Sequence, residues 1–128
     1  MKNFVLTLLL AVVLAIVAPS AQAQTSNVLL ISQDANTKVV TVVRTTDPGV
    51  TGTWLSYSSQ LSTTATAIEN KLFSGIPAGQ VLLVKMDAYK NITVMLVNDP
   101  GVTGEFLAID NSIVNTVGAI KNRLYLGL

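Results

Sequence analysis

Histidine and cysteine are both missing from this chain. That removes the commonest general base, the commonest metal ligand and the thiol nucleophile. Acid–base or metal chemistry would fall to five aspartates and two glutamates, helped by many serines and threonines. A working carboxylate pair needs two acids converging in one cleft. Asp47 and Asp99 hold the same place in a repeated hexapeptide, and Asp34 and Asp87 form a second matched pair, so either pair could meet at a local two-fold. Each of the four also sits in turn-forming sequence, where aspartate is expected for hydrogen bonds to its own backbone. The turn reading is the stronger expectation.

Other chemistries find less support. Calcium needs six to eight oxygens, and the sequence has no D-x-D-x-D loop to gather them. No S-x-x-K occurs for serine–lysine catalysis. Gly49 to Gly52 resembles a phosphate loop only in glycine content, because it lacks the Lys-Ser/Thr and leads into a strand. Asn91-Ile92-Thr93 is a formal glycosylation triplet inside an expected strand. The expectation is a protein that is not an enzyme, with no catalytic residues, no cofactor and no metal.

The hexapeptide Asp-Pro-Gly-Val-Thr-Gly occurs at 47–52 and again at 99–104. Its repeated turn residues are Asp47, Pro48, Gly49 and Gly52, matched by Asp99, Pro100, Gly101 and Gly104. Proline fixes φ at the second turn position, glycine at the third accepts positive φ, and the aspartate caps the turn. The likeness extends outward on both sides. Val28-Leu29-Leu30 matches Val81-Leu82-Leu83, and Lys38 matches Lys90. With one residue skipped near Asn36, 21 of 48 paired positions are identical.

The elements that must position these residues read as β-β-β-α, used twice. Val28–Gln33 is a short apolar run. Lys38–Thr46 is rich in β-branched residues and hairpins back on it. Thr53–Ser58 alternates as a third strand. From an N-cap at Ser58 or Ser59, Leu61, Ala65, Ile68 and Leu72 form one stripe of a helix, stopped by Gly75. In the second copy Asn111 takes the cap position, and Ile113, Val117, Ile120 and Leu124 repeat the stripe. The fold class is therefore α+β: an internally duplicated β-β-β-α unit, with an antiparallel sheet or sheets and two helices packed on one face. Repeat 1 covers 27–76 and repeat 2 covers 80–128. Their short linker makes 24–128 a single pseudo-symmetric domain.

Residues 1–23 carry one lysine, a short uncharged apolar core and Ala21-Gln22-Ala23, the pattern of a secretory signal peptide cleaved after Ala23. The core is too short to span a bilayer, so membrane contact is expected only through this segment if it stays uncleaved. The remaining chain has seven basic and seven acidic residues. Without a basic patch to neutralise phosphates, nucleic acid is not an expected partner. A net charge of zero weakens repulsion between copies. Secreted, periplasmic or extracellular localisation follows from the signal peptide.

Strand parity leaves a surplus of apolar surface. In the third strand, Leu55 and Tyr57 (with Leu107 and Ile109) are expected on one face, and Trp54 and Ser56 (with Phe106 and Ala108) on the other. In the first two strands neither face is polar. Two helices cover one face of six strands, so the second must be buried by folding the halves face to face into a sandwich or barrel, or by another copy of the protein. Trp54, Phe106, Val39, Val43, Met95, Leu30 and Leu83 are the candidate interface, with aromatics as its natural anchors. The functional expectation is an exported structural protein that associates with itself or with another exported protein, within an extracellular, envelope or virion surface assembly. The alternative is a binding module holding a small apolar ligand or peptide between its two repeats.

Overall fold

The computed structural model describes residues 26–128; the expected signal peptide lies outside them. The elements run β1 Asn27–Gln33, β2 Val40–Thr46, β3 Thr53–Ser58, α1 Leu61–Ser74, β4 Gln80–Met86, β5 Ile92–Asn98, β6 Glu105–Asp110 and α2 Ile113–Leu126. The six strands form one antiparallel sheet in the order β3-β5-β4-β1-β2-β6. This order separates neighbours in sequence. β3 leaves β1 and β2 to pair with β5, and β6 leaves β4 and β5 to pair with β2. Neither half of the chain is therefore a self-standing sheet.

The centre of the sheet is the β1–β4 pair, where Leu30 lies opposite Leu83. These two residues also match each other in the sequence alignment. On one face, Leu29, Ile31, Val40, Val42, Leu82, Val84, Ile92 and Val94 pack with Ala65, Ile68 and Leu72 of α1 and Val117, Ile120 and Leu124 of α2. Both helices thus lie on the same face, each burying the expected stripe.

Thr64 and Thr116, at matched positions within the stripe, are fully buried. Their hydroxyls donate to the carbonyls one turn back, Gln60 at 3.0 Å and Ser112 at 2.9 Å, so neither buried hydroxyl is left unpaired. The caps fall one residue later than expected. Gln60 precedes α1 and makes no side-chain cap, while Ser112 caps α2 by accepting from Asn115 N. At the far end of α1, the Gln33 side chain donates to Leu72 O and accepts from Ile76 N, tying helix to sheet. Its match in the other half is Met86, which can make neither bond.

The second face is buried in a way that sequence parity did not anticipate. Val28, Leu30, Val81, Leu83, Met95 and Val97 form a second core, and Val50 packs against it. Val50 belongs to the repeated hexapeptide. The strand order forces this: from β2 to β3 the chain must pass over β1, β4 and β5, about 19 Å at roughly 4.8 Å per strand. Seven peptide steps from Thr46 to Thr53 reach at most about 25 Å, so 47–52 runs nearly extended across the face. Residues 99–104 make the matching crossing from β5 to β6. The repeated motif is thus a turn followed by a strap.

Local bonds trace both straps. Asp47 N donates to Ser26 O, and Lys85 Nζ lies 3.7 Å from Asp47 Oδ2. The first strap then reaches Gly52, seated on the Leu96 carbonyl. Asp99 N donates to Gly79 O, Thr45 Oγ1 donates to Thr103 O at 2.9 Å, and Gly104 sits on the Arg44 carbonyl. The turn chemistry is as expected: Gly49 N and Gly101 N each donate to the aspartate two residues back, at 2.9 Å. Gly49 and Gly101 both have positive φ.

Candidate interaction site

The outermost strands hold four of the exposed large apolar side chains, Trp54, Tyr57, Phe106 and Ile109; Phe73, Tyr89, Val102, Val114, Tyr125 and Leu126 are exposed elsewhere, on helices and loops. Among the described residues each outer strand pairs on its inner side only, β3 with β5 and β6 with β2. Each also carries a β-bulge. Trp54 lies opposite Met95 and Ser56 opposite Val94, so Leu55 is the extra residue in β3. Phe106 lies opposite Val43 and Ala108 opposite Val42, so Leu107 is the extra residue in β6.

The bulge corrects the expected parity of both strands. An inserted residue shifts the following side chains to the opposite face. Leu55, Leu107 and Ala108 therefore pack towards the helices. Tyr57 joins Trp54 on the strap face, opposite Thr93, and Ile109 joins Phe106 there, opposite Thr41. The Trp54 and Tyr57 rings meet with centroids 5.7 Å apart, tilted by 37°. All four side chains are exposed: Trp54 60%, Tyr57 57%, Phe106 65% and Ile109 62%. Single exposed apolar residues are ordinary. A pair at each end of one sheet face, on strands whose outer edge meets no other strand among the described residues, forms two defined patches.

The other interface candidates are placed differently. Leu30, Leu83 and Met95 are buried in the second core, under the straps, and offer no free surface. Val39 and Val43 are half-buried. Val39 lines a shallow cleft with Gln33, Asp34 and Thr41, while Val43 lies beside Phe106 on the β6 side. Trp54 and Phe106 are on opposite edges and do not meet, so the seven residues divide into a buried centre and two outer patches. Tyr57 and Ile109, their partners in those patches, were missed in the sequence. A three-residue spacing of large side chains within a six-residue strand was the available signal.

The carboxylates do not converge. Asp34 and Asp87 belong to hairpins at opposite ends of the sheet and open onto separate clefts. Asp34 Oδ1 accepts from Asn36 N and Thr37 N, and Asp87 Oδ1 accepts from Tyr89 N and Asn91 N. Asp47 and Asp99 cap their own strap turns. Among the described residues no cluster of three or more acids could hold a metal ion, and no helix is long and apolar enough to cross a membrane.

Three of these carboxyls have acidities set by the turns. The Thr37 backbone N–H, with that of Asn36, holds Asp34 below its usual value of 3.8. The Asn91 N–H does the same for Asp87, and the Ser112 N–H and Asn115 side chain for Asp110. A carboxyl whose pKa is depressed in the folded state stabilises it above the unfolded value and loses that contribution as pH falls through the folded one. Stability measured by urea unfolding should therefore be flat from about pH 7 to 5 and decline below about pH 4. Asp34→Asn with Asp87→Asn should flatten that decline; an unchanged slope would mean the turns do not bind the charged form.

Comparison of the chain with protein families, with curated proteins and with solved structures gives no match.

Proposed function

We propose that this is an exported, non-enzymatic structural protein that associates with copies of itself or with another exported protein in an extracellular, envelope or virion surface assembly. The observation that carries the reading is the pair of exposed patches, Trp54–Tyr57 and Phe106–Ile109, at the two open edges of one sheet. Aromatic side chains of this kind anchor interfaces. The zero net charge of residues 24–128 leaves little repulsion between copies. The scatter of the aspartates among separate turns supports the non-enzymatic part.

The same reading includes an origin by duplication of a β-β-β-α unit, supported by the 21 matched identities and by Leu30 meeting Leu83 at the centre. It also includes cleavage of a signal peptide after Ala23. A ligand held between the two halves would have to displace Leu30 and Leu83, which fill that position, so the binding-module reading has no observation in its favour.

Light scattering on residues 24–128 over a hundredfold concentration range tests the proposal. Mass should rise with concentration, and Trp54→Ser with Phe106→Ser should return it to one chain. Loss of one anchoring aromatic typically weakens an interface by about 2 kcal/mol or more, roughly thirtyfold. A monomer at every concentration, with native far-ultraviolet circular dichroism, would overturn self-association.

A further inference from the structure

The two patches lie on strand edges whose shape and charge specify how copies would join. An all-antiparallel sheet of six strands has outer strands running in opposite directions, so β3 of one molecule meets β6 of a translated second molecule antiparallel. The helix layers then stay on one side. With Thr53 opposite Asp110, Trp54 falls opposite Ile109, Tyr57 opposite Phe106, and Ser58 opposite Glu105. Both apolar pairs sit on the strap face of both molecules.

The bulges make this fit selective. In β3 the two strap-face residues are three apart, at 54 and 57, and in β6 they are also three apart, at 106 and 109. An ordinary strand repeats every two residues and would fall out of register against either edge. One bulged strand matches the other because each has two helix-side residues between its strap-face pair, so that Leu55 and Ser56 fall opposite Ala108 and Leu107.

Charge then chooses among the pairings. The six residues of β3 carry none, whereas β6 begins with Glu105 and ends with Asp110. Two β6 strands paired antiparallel would set Glu105 against Asp110 at both ends, and like charges directly opposed destabilise a sheet. A β3–β3 pair avoids that clash but leaves Phe106 and Ile109 uncovered. The β3–β6 pair places both carboxylates opposite hydroxyls, at Ser58 and Thr53, and covers both patches with one kind of contact.

We propose that this protein polymerises head to tail, with the Thr53–Ser58 edge of each copy pairing antiparallel with the Glu105–Asp110 edge of the next to extend one continuous sheet. This rests on the self-association reading above and names its partner surface. Because the two edges differ, the contact is head-to-tail rather than two-fold, and repeated by translation it gives an open chain of subunits.

Charge substitution on the purified protein, followed by sedimentation velocity, tests it. Ser58→Glu sets a carboxylate against Glu105 of the next copy and should weaken association about fivefold. Glu105→Lys added to Ser58→Glu should restore it. Matching urea midpoints among the variants show that folding is intact. Wild-type protein should form a ladder of species beyond the dimer. Association that stops at a dimer, or that Ser58→Glu leaves unchanged, overturns edge pairing while self-association stands. Failure of the double variant to recover also overturns it. Monomers alone in the wild type overturn both.

Discussion

Gly52→Ala and Gly104→Ala should each destabilise the protein by about 3 kcal/mol or more, at the upper end of what overpacking causes. A methyl group at residue 52 would overlap the Leu96 carbonyl oxygen and crowd Val97 Cα; at residue 104 it would overlap the Arg44 carbonyl oxygen. Both obstacles are backbone atoms of a strand, so no side-chain rotation relieves them. The strap would have to lift, drawing Val50 off the second core in one case and breaking the bond from Thr45 to Thr103 in the other. For a domain of this size that loss corresponds to a fall in Tm of roughly 12–20 °C. Gly49→Ala is the control. Its φ is +74°, but an added methyl meets nothing within 4 Å, so only the left-handed backbone penalty of about 1–2 kcal/mol applies. Urea unfolding of the three variants checks the order. A Gly49 variant as damaging as the Gly52 variant would show that turn conformation, rather than close approach, governs this segment.

Leu83→Ala should cost about 2–5 kcal/mol, the range for a fully buried leucine whose surroundings cannot collapse into the space. Leu83 has no exposed surface and lies between Leu30 and Met95 on neighbouring strands. Backbone pairing on both sides fixes its position, and the extended strap has little slack with which to sink. Leu30→Ala should behave alike, since it lies across the same central pair. The combined substitution should depart from additivity by at least about 0.5 kcal/mol, because the two cavities adjoin. Denaturant unfolding of the singles and the double gives the coupling directly. Strict additivity would mean that the two leucines do not share one packed space.

Much of this architecture was legible in the sequence. Residue bounds for β3, β4 and β6 follow from alternation and turn signals, and the helix stripes from i, i+4, i+7 spacing. The stop at Gly75 was equally plain. What the sequence did not disclose was the exchange of outer strands. Local patterns place Thr53–Ser58 after Thr46 but contain nothing about which strand will lie beside it. The double-sided apolar character of β1 and β4 was the trace of that exchange. That character implies a second layer or a second copy, whereas the repeated hexapeptide itself passes over that face. The bulges were hidden for a similar reason, since parity assumes one residue per step. Apolar character alone groups Val39, Val43, Met95, Leu30 and Leu83 with Trp54 and Phe106. Position in the sheet separates the central residues from the edges, and position depends on topology.

The strand exchange also sets an order of events along the growing chain. When Thr53–Ser58 is made, the strand beside which it will lie, Ile92–Asn98, does not yet exist. The first half therefore has two strands that can form a hairpin, a third with no partner and a helix with half a floor beneath it. Most of the stabilising contacts of β3 wait for the second half, and that dependence on distant segments slows folding. A chain bound for export, as proposed here, gains from this delay, because it stays unfolded while most of its length is still being synthesised. The same delay leaves Trp54 and Tyr57 without partners during the interval before β5 arrives.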